Sequence, residues 1–435
     1  MTKVEKIFLI IALIYGILFS FLVPPFQVPD EKWHFYKAFS ISEGHIFPTK
    51  YVVVPKNVKV VVDTFNSVKD VQKKIYESLN LPITQNKVAV DISNVSIYPP
   101  IPYLFSSLIF MALKSFSPLI LMYIARLVNL IVWITLLYFA IKITPIHKRL
   151  FLALSLMPMT IHQAASLSPD SFTIGISFLA IAVIYNYVFG EEKIKRRDFA
   201  LILILMLILA FSKPGYALLS LIFLMIPSDK FPKRTKILDF IVIIFVVFSL
   251  LVVWCISFKG YYTPSEDPAV RPNLQFNYVV THPLEFIKIL GNTISTKLNL
   301  YLIMFVGCFG HLNVYLPEFL VYAYLFMLFF ISLSDNAKFE IHNKQKLIAF
   351  FTFLLLSFLI FLFEYLTWTP VGYNTILGVQ GRYFIPISPL FFMIFHNKTV
   401  KKLKIKTNRA LTILILFILF CLSFSVFKLL EYYWL

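Results

Sequence analysis

The sequence predicts an all-α, polytopic integral membrane protein, and three features lead to that class. Of its 435 residues, 59% are hydrophobic and 14% are charged, whereas roughly a quarter of the residues in a soluble domain are charged. The mean hydropathy is +0.80. Apolar runs repeatedly reach the ~18–20 residues that cross the hydrocarbon core of a bilayer. Together these values exclude a soluble globular domain.

The net charge of +18 does not indicate a nucleic-acid partner, because most of the basic residues lie in short loops between apolar runs. This distribution follows the positive-inside rule. We therefore predict that five basic loops face the cytoplasm: Lys142, Lys148 and Arg149; Lys193, Lys195, Arg196 and Arg197; Lys230, Lys233, Arg234 and Lys236; Lys338, Lys344 and Lys346; and Lys398, Lys401, Lys402, Lys404 and Lys406.

The first helix follows Lys3 and Lys6 and no small-residue cleavage site comes after it. It is therefore expected to be a retained signal anchor that starts in the cytoplasm, in a multi-pass protein of the cytoplasmic membrane. The three cysteines, Cys255, Cys308 and Cys421, show no CxxC spacing and lie in apolar or membrane-edge stretches. We expect them to pack rather than to form a metal site or disulfides.

With the basic loops inside, the apolar runs predict about eleven transmembrane helices in one domain, residues 1–435. They lie near residues 7–24, 119–141, 150–168, 171–189, 198–212, 215–227, 237–257, 317–333, 346–368, 379–395 and 409–430. The stretches 99–115 and 298–312 are expected to be re-entrant or interfacial, because a full crossing there would invert the basic loops.

External segments connect these helices. Residues 25–97 are predicted to form a large extracytoplasmic first loop, and shorter external loops cover 259–297 and 369–379. Within the first loop, residues 30–42 are expected to be helical, since Trp33, Tyr36 and Phe39 recur at helical spacing. Residues 52–54 and 60–62, which are valine-rich, suggest short extended pieces.

The first candidate site is the run Pro29-Asp30-Glu31-Lys32-Trp33-His34, directly after the first helix. A carboxylate there can act as a general base for an acceptor hydroxyl. Asp30 or Glu31 can also hold a divalent cation such as Mg²⁺ or Mn²⁺. The alternative is structural, because Asp followed by Glu is typical of an N-cap and an acidic first turn.

Asp170, in Ser168-Pro169-Asp170-Ser171, is the second candidate. It is a reasonable N-cap for the helix that follows. A carboxylate at a membrane edge is costly, however, and such a residue favours a functional hypothesis. Both interpretations stay open.

Two cations complete the set. Lys213, before Pro214-Gly215, lies in a hairpin predicted to be external, where the charge bias of the other short loops disfavours a lysine. Its ammonium can bind a phosphate. The alternative is a snorkelling lysine without a ligand. Arg382, in Gln380-Gly381-Arg382-Tyr383, can hold a phosphate bidentately with help from Gln380, or can anchor the interface beside Tyr383.

Three further residues are ambiguous. Tyr98, before two prolines, is expected to be a structural corner, while Arg126 and Glu364 lie within predicted helices and can line a cavity or pair with partners that the sequence does not reveal. The predicted topology nevertheless brings Asp30, Asp170, Lys213 and Arg382 to one membrane face. Acids and phosphate-binding cations on one face are the groups that a lipid-phosphate-dependent transferase needs.

These motifs, with Tyr98-Pro99-Pro100, Ala125-Arg126-Leu127 and Lys213-Pro214, resemble a widespread family of predicted bacterial membrane proteins. That family is similar to the GT-C glycosyltransferases, which include protein mannosyltransferases and the aminoarabinose transferases that modify lipid A. The resemblance implies a GT-C-like fold and a sugar donor on a polyprenyl phosphate or diphosphate. A departure is Tyr98, where many GT-C enzymes place a basic residue before the paired prolines.

By this resemblance, Asp30 and Glu31 are the catalytic acids, and Asp170 is the second acid. Asp30 and Asp170 are the candidate metal ligands, and His34, Lys213, Gln380, Arg382 and Tyr383 bind substrate. The expected partners are the lipid bilayer, a polyprenyl-linked sugar donor and an extracytoplasmic acceptor. A transporter or flippase, which normally shows paired broken helices in two matching halves, and a polysaccharide polymerase are the alternatives.

Overall fold

The computed structural model describes residues 3–435 except 233–234, 264, 266, 335–339 and 398–406. The basic residues Lys233, Arg234, Lys338, Lys398, Lys401, Lys402, Lys404 and Lys406, predicted to face the cytoplasm, lie outside the described residues. The α-helices are α1 Lys3–Leu22, α2 Glu31–Ser42, α3 Lys56–Thr64, α4 Val71–Leu79, α5 Leu104–Ala112, α6 Pro118–Ile143, α7 Lys148–Ser155, α8 Pro158–Ala164, α9 Pro169–Phe189, α10 Arg196–Ala210, α11 Lys236–Phe258, α12 Pro272–Thr281, α13 Pro283–Val306, α14 Glu318–Ser334, α15 Asn343–Trp368, α16 Ser388–Met393 and α17 Thr407–Tyr433. Short strands β1 Tyr51–Pro55, β2 Lys87–Asp91, β3 Cys308–Phe309 and β4 Val314–Tyr315 form two antiparallel pairs, and 3₁₀ helices include Ile101–Tyr103, Pro214–Met225, Ser228–Lys230, Lys259–Tyr261 and Gly381–Ile387.

Seven helices in the described ranges are long and apolar enough to cross a membrane. They are Lys3–Leu22, Pro118–Ile143, Pro169–Phe189, Lys236–Tyr261, Pro283–Val306, Asn343–Trp368 and Arg409–Tyr433. In the most apolar stretches of α11 and α15, 17% and 22% of the residues are buried inside the protein, so both helices present most of their apolar side chains outward. The prediction of an all-α, multi-pass membrane protein is confirmed.

Several predicted spans differ in their structure. Residues 150–168 divide into α7 and α8, because Pro158 begins a new helix. Residues 215–227 form a 3₁₀ helix, and residues 379–395 form a 3₁₀ helix followed by α16. Since these pieces are shorter than the ~20 residues of a straight crossing, the count of eleven stays a prediction.

The boundary predicted between an external loop, 259–297, and the re-entrant or interfacial stretch 298–312 is wrong. Both overlap α13, which begins at Pro283 and runs for 24 residues. The polar residues Lys288, Asn292 and Lys297 interrupt the apolar run, which is why the first half of the helix reads as a loop. Residues 99–115, by contrast, form a 3₁₀ turn and the short helix α5.

The first loop folds as a cap. Helix α2 begins where it was predicted, and β1 confirms the extended conformation of residues 52–54. The extended conformation predicted for residues 60–62 is wrong: they lie in α3, where Val58, Val61 and Val62 share a buried face at helical spacing. This face joins Phe110 and Met122 of α5 and α6 in one hydrophobic cluster, so the cap rests on those helices.

Helix α9 is the central helix of the bundle, with 89% of its most apolar stretch buried. It packs closely along α6, and Gly175 permits this approach, because a Cβ there would lie 2.9 Å from Leu136 Cδ1. The N-terminus of α9 carries Asp170. Tight packing of the central helix therefore fixes the position of that carboxylate.

Candidate active site

A buried ion pair between Arg126 and Glu31 joins the elements that surround the site. The guanidinium donates from Nε to Glu31 Oε1 at 2.8 Å and from Nη2 to Glu31 Oε2 at 2.5 Å. Its Nη1 donates to the carbonyls of Ser20 and Val23, and Nη2 also donates to that of Pro24. All five N–H donors are thus used, and three of them bond to carbonyls in the last turn of α1 and in the two residues that follow it.

Three hydrogen bonds hold the Glu31 carboxylate. Besides the two bonds from Arg126, its Oε1 accepts a hydrogen bond from the Leu167 backbone N–H at 3.1 Å, and the residue is 0% exposed. Glu31 therefore ties the start of α2 to α6 and to the link between α8 and α9. We assign it a structural role in place of the predicted catalytic one.

Asp30 differs from its neighbour. It occupies the N-cap position of α2, as the structural alternative predicted, but its side chain makes no capping hydrogen bond to that helix and its backbone is left-handed with φ 63°. A non-glycine residue in this conformation costs on the order of 1–3 kcal/mol and persists where surrounding contacts hold it. Among the residues that the structure describes, no hydrogen bond or ion pair engages the Asp30 carboxylate, which lines a cavity.

His34 lies one turn after Asp30 on α2 and lines the same cavity. Its Nδ1 and the Tyr103 hydroxyl are 2.9 Å apart. Burial lowers the pKa of the His34 imidazole to about 4, against the opposite effect of the Asp30 carboxylate. The ring is therefore neutral at pH 7 and can accept or donate a hydrogen bond without adding charge.

Asp170 lies between two cations. Its Oδ1 accepts a hydrogen bond from Lys213 Nζ at 2.9 Å, and its Oδ2 is 3.5 Å from Arg382 Nη1. Ser168, not Asp170, is the N-cap of α9, so the capping interpretation of Asp170 is wrong. One carboxylate against two cations leaves this cluster with a net charge of about +1.

Lys213 points into the protein and not away from it, in contrast to a snorkelling lysine. Burial alone would lower the pKa of Lys213, but the adjacent Asp170 carboxylate outweighs burial and raises it. The ammonium also lies 4.4 Å from the centre of the Tyr383 ring, a cation–π distance. Lys213 is therefore held charged at the cavity wall.

Arg382 is 4% exposed and forms a layer behind that wall. Its Nε donates to Gln380 Oε1 at 2.6 Å and its Nη1 to Gln163 Oε1 at 2.9 Å. Its Nη1 also lies 3.5 Å from Asp170 Oδ2. Arg382 thus orients Asp170 and Gln380, and its own side chain is screened from the cavity.

The cavity has a volume of about 650 Å³. Of the residues predicted to form the site, Asp30, Glu31, His34, Lys213, Gln380 and Tyr383 line it with their neighbours, while Asp170 and Arg382 lie in the layer behind. The structure therefore brings the four motifs together around one cavity. Their residues form two layers, one that lines the cavity and one behind it.

Residues outside the predicted set also line the cavity, among them Tyr98, Tyr262, His311 and Glu364. Tyr98 is thus more than the predicted corner. Glu364 Oε2 lies so close to Gly378 that a Cβ there would be 2.5 Å away, and Gly378 itself has φ +82°. The position of Glu364 inside an apolar helix marks it in the sequence as a candidate functional residue. No comparable sequence feature marks His311, which lies in the turn between β3 and β4.

One wall of the cavity is apolar. Helix α15 contributes Leu356, Leu359, Ile360 and Phe363. Phe363 also faces the outside of the bundle and is 48% exposed. The cavity therefore lies next to the apolar outer surface on this side.

The predicted divalent cation between Asp30 and Asp170 has a poor donor set. The Asp170 carboxylate is already paired with Lys213 and Arg382, and these cations would repel a metal ion. Across the described ranges, no three His, Cys, Asp or Glu side chains are grouped to hold a metal. The divalent cation stays a prediction.

We predict that Arg126→Met strongly destabilises the protein, because it leaves the Glu31 carboxylate buried without its partner, at a cost of about 3–5 kcal/mol. The double variant Arg126→Met/Glu31→Met removes both charges and should recover part of the loss. Thermal unfolding in nanodiscs measures the effect. Lys59→Met, in the exposed pair with Asp63, is the control and should change little. Equal losses in the single and double variants would contradict the assignment.

A second prediction concerns pH. The pKa of His34 is about 4 in the folded protein against 6.5 for a free side chain, so between these values the unfolded chain binds a proton that the folded one does not. The free energy of unfolding should therefore fall as the pH drops from 6.5 to 4, by about 3 kcal/mol.

The check is thermal stability against pH for wild type and His34→Gln. The variant should lose this part of the pH dependence, and His45→Gln, at an exposed position, should keep it. An unchanged slope in His34→Gln would show that the ring titrates normally.

Comparisons with known proteins agree with the membrane architecture. No curated protein and no solved structure matches the chain. Residues 13–391 match the model of a family described as "Predicted membrane protein (DUF2142)". This match covers most of the chain, including every motif that surrounds the cavity. The chain therefore belongs to the DUF2142 family of predicted membrane proteins.

Proposed function

We propose that the protein is an integral membrane glycosyltransferase that transfers a sugar from a polyprenyl-phosphate or polyprenyl-diphosphate donor to an extracytoplasmic acceptor, such as a cell-envelope glycan, lipid or protein. One observation carries the proposal. A single cavity combines the unpaired Asp30 carboxylate, a cation cluster of net positive charge and an apolar wall beside the outer surface.

The phosphate of the donor is proposed to bind at Lys213. This ammonium lines the cavity, and together with Asp170 and Arg382 it forms a cluster with one positive charge more than it has negative charges. An anionic phosphate would balance that excess and form a charge-assisted hydrogen bond. Asp170 and Arg382 act as positioning residues, because they hold Lys213 and Gln380 without facing the substrate.

Asp30 is proposed as the general base. It takes the proton from the acceptor hydroxyl while that oxygen bonds to the anomeric carbon of the sugar. The bond from this carbon to the phosphate oxygen breaks, and its electron pair leaves with the polyprenyl phosphate. A single displacement of this kind inverts the anomeric configuration. The neutral His34 and the Glu364 carboxyl are placed to hold hydroxyl groups of the sugar or acceptor.

The lipid part of the donor is proposed to leave the cavity along α15, past Phe363. The basic loops near residues 142–149 and 193–197 support an orientation in which the cavity faces away from the cytoplasm. We further propose a GT-C-like arrangement with about eleven crossings in the cytoplasmic membrane. In this arrangement the 3₁₀ helix Pro214–Met225 and the broken pair α7–α8 complete crossings that are not single long helices.

A lipid transporter or flippase is the second candidate, because a polar cavity next to the apolar surface would also suit a head group that moves across the membrane. A transporter has no need of a base. Variants of Asp30 therefore discriminate between the two functions.

The test is binding and turnover of a panel of polyprenyl-phosphate sugars by the protein in nanodiscs. Asp30→Asn should bind donor as wild type does and lose about 10²–10⁴-fold in kcat, the contribution of a general base. Lys213→Gln should weaken donor binding. Lys193→Gln, at an exposed position, is the matched control and should change neither.

Full turnover by Asp30→Asn would overturn the assignment of the base. Binding without turnover of any donor, together with movement of labelled lipid across vesicle membranes, would favour the transporter.

A further inference from the structure

A second concave site lies on the membrane-facing side of the protein, separate from the cavity. It is a groove of about 410 Å³ between the 3₁₀ helix Pro214–Met225 and the N-terminal half of α15. Its lining is Leu221, Leu224, Lys344, Leu347, Ile348, Phe351, Thr352 and Leu355. Apart from Lys344 and Thr352 these side chains are hydrocarbon, so the groove suits an acyl chain.

Two lysines, Lys344 and Lys236, lie at one end of this groove. Lys344 is the first α15 residue in its wall, and Lys236 Nζ donates to the backbone carbonyl of the lining residue Leu224 at 3.0 Å. The positive charge of Lys344 disfavours the charged form of Lys236, and the carboxylate of Asp229 favours it. Among the residues that the structure describes there, two cations and one carboxylate leave a net positive charge of about one, which an anionic head group would balance.

The length of the groove matches an acyl chain better than a polyprenyl chain. Lys344 and Leu355 are eleven residues apart on α15, which corresponds to about 16 Å along a helix. That is about half of the ~30 Å hydrocarbon core, so the groove covers a single leaflet. An acyl chain of a phospholipid fits this length. A polyprenyl chain extends beyond one leaflet, and a hydrocarbon tail alone leaves the lysines without a counter-charge.

We infer that this groove is a binding site for an anionic glycerophospholipid, with one acyl chain along α15 and the phosphodiester head group at Lys344 and Lys236. The site is independent of the glycosyl transfer proposed above. Basic pockets between membrane helices are typical sites for anionic head groups.

The experiment compares retention of phosphatidylglycerol and phosphatidylcholine by native mass spectrometry, together with thermal stability in nanodiscs of each lipid. Wild type should retain phosphatidylglycerol preferentially and be more stable with it. Lys344→Gln should reduce that preference about fivefold, the effect of one lysine near an anionic surface. Leu224→Trp, which fills the groove, should abolish retention. Lys193→Gln, exposed and distant in sequence, should behave as wild type.

Equal retention of both lipids by wild type, or an unchanged preference in Lys344→Gln, would overturn the inference. Displacement of phosphatidylglycerol by polyprenyl phosphate, at equal concentration, would also overturn it and assign the groove to the donor tail.

Discussion

The guanidinium of Arg126 determines the geometry on which the rest of the site depends. It bonds the end of α1, the start of α2 and, through Glu31, the backbone before α9. A buried arginine is costly unless its charge is paired and its donors are all used, and here both conditions hold. The pair joins the end of α1 to the start of α2, and Asp30 occupies a left-handed conformation at the turn between them. Its carboxylate lines the cavity, and none of the described residues forms a hydrogen bond or ion pair with it.

The two acidic motifs have opposite electrostatic surroundings. Asp170 is paired with Lys213 and Arg382, and the cluster has a positive charge in excess. Asp30 faces the same cavity with no cation paired to it in the described part of the chain. A substrate with a phosphate at one end and a hydroxyl at the other would find complementary groups at both positions. The apolar wall from α15 places this arrangement where a lipid-linked substrate arrives.

The sequence predicted the membrane class and most long helices because their apolar runs are unbroken. It also predicted that Asp30, Asp170, Lys213 and Arg382 meet, since the positive-inside rule places their loops on one face. The sequence alone could not distinguish the roles of Asp30 and Glu31, because nothing in it shows which of the two adjacent acids pairs with Arg126. The membership of Asp170 in an ion cluster likewise depends on tertiary contacts across more than 200 residues, as between Asp170 and Arg382.

Other differences have local causes. The predicted length of α13 is too short because polar residues on its surface interrupt the apolar run. Residues 60–62 of α3 were predicted to be extended because valine favours strands, although the buried positions of α3 follow helical spacing. Cavity residues such as His311 come from turns whose position depends on the whole bundle, so no periodic pattern marks them. Glu364 was visible as an acid in an apolar helix, but the direction of its side chain was not.

The most direct test of this account is a cryo-EM structure of the protein in nanodiscs with a bound polyprenyl phosphate. We expect density for the phosphate about 3 Å from Lys213 Nζ, isoprenoid density beside Phe363, and Asp30 facing the position of the missing sugar. A ligand that binds tightly but places its phosphate at the basic loops, or outside the cavity that Asp30 lines, would contradict the proposed donor site.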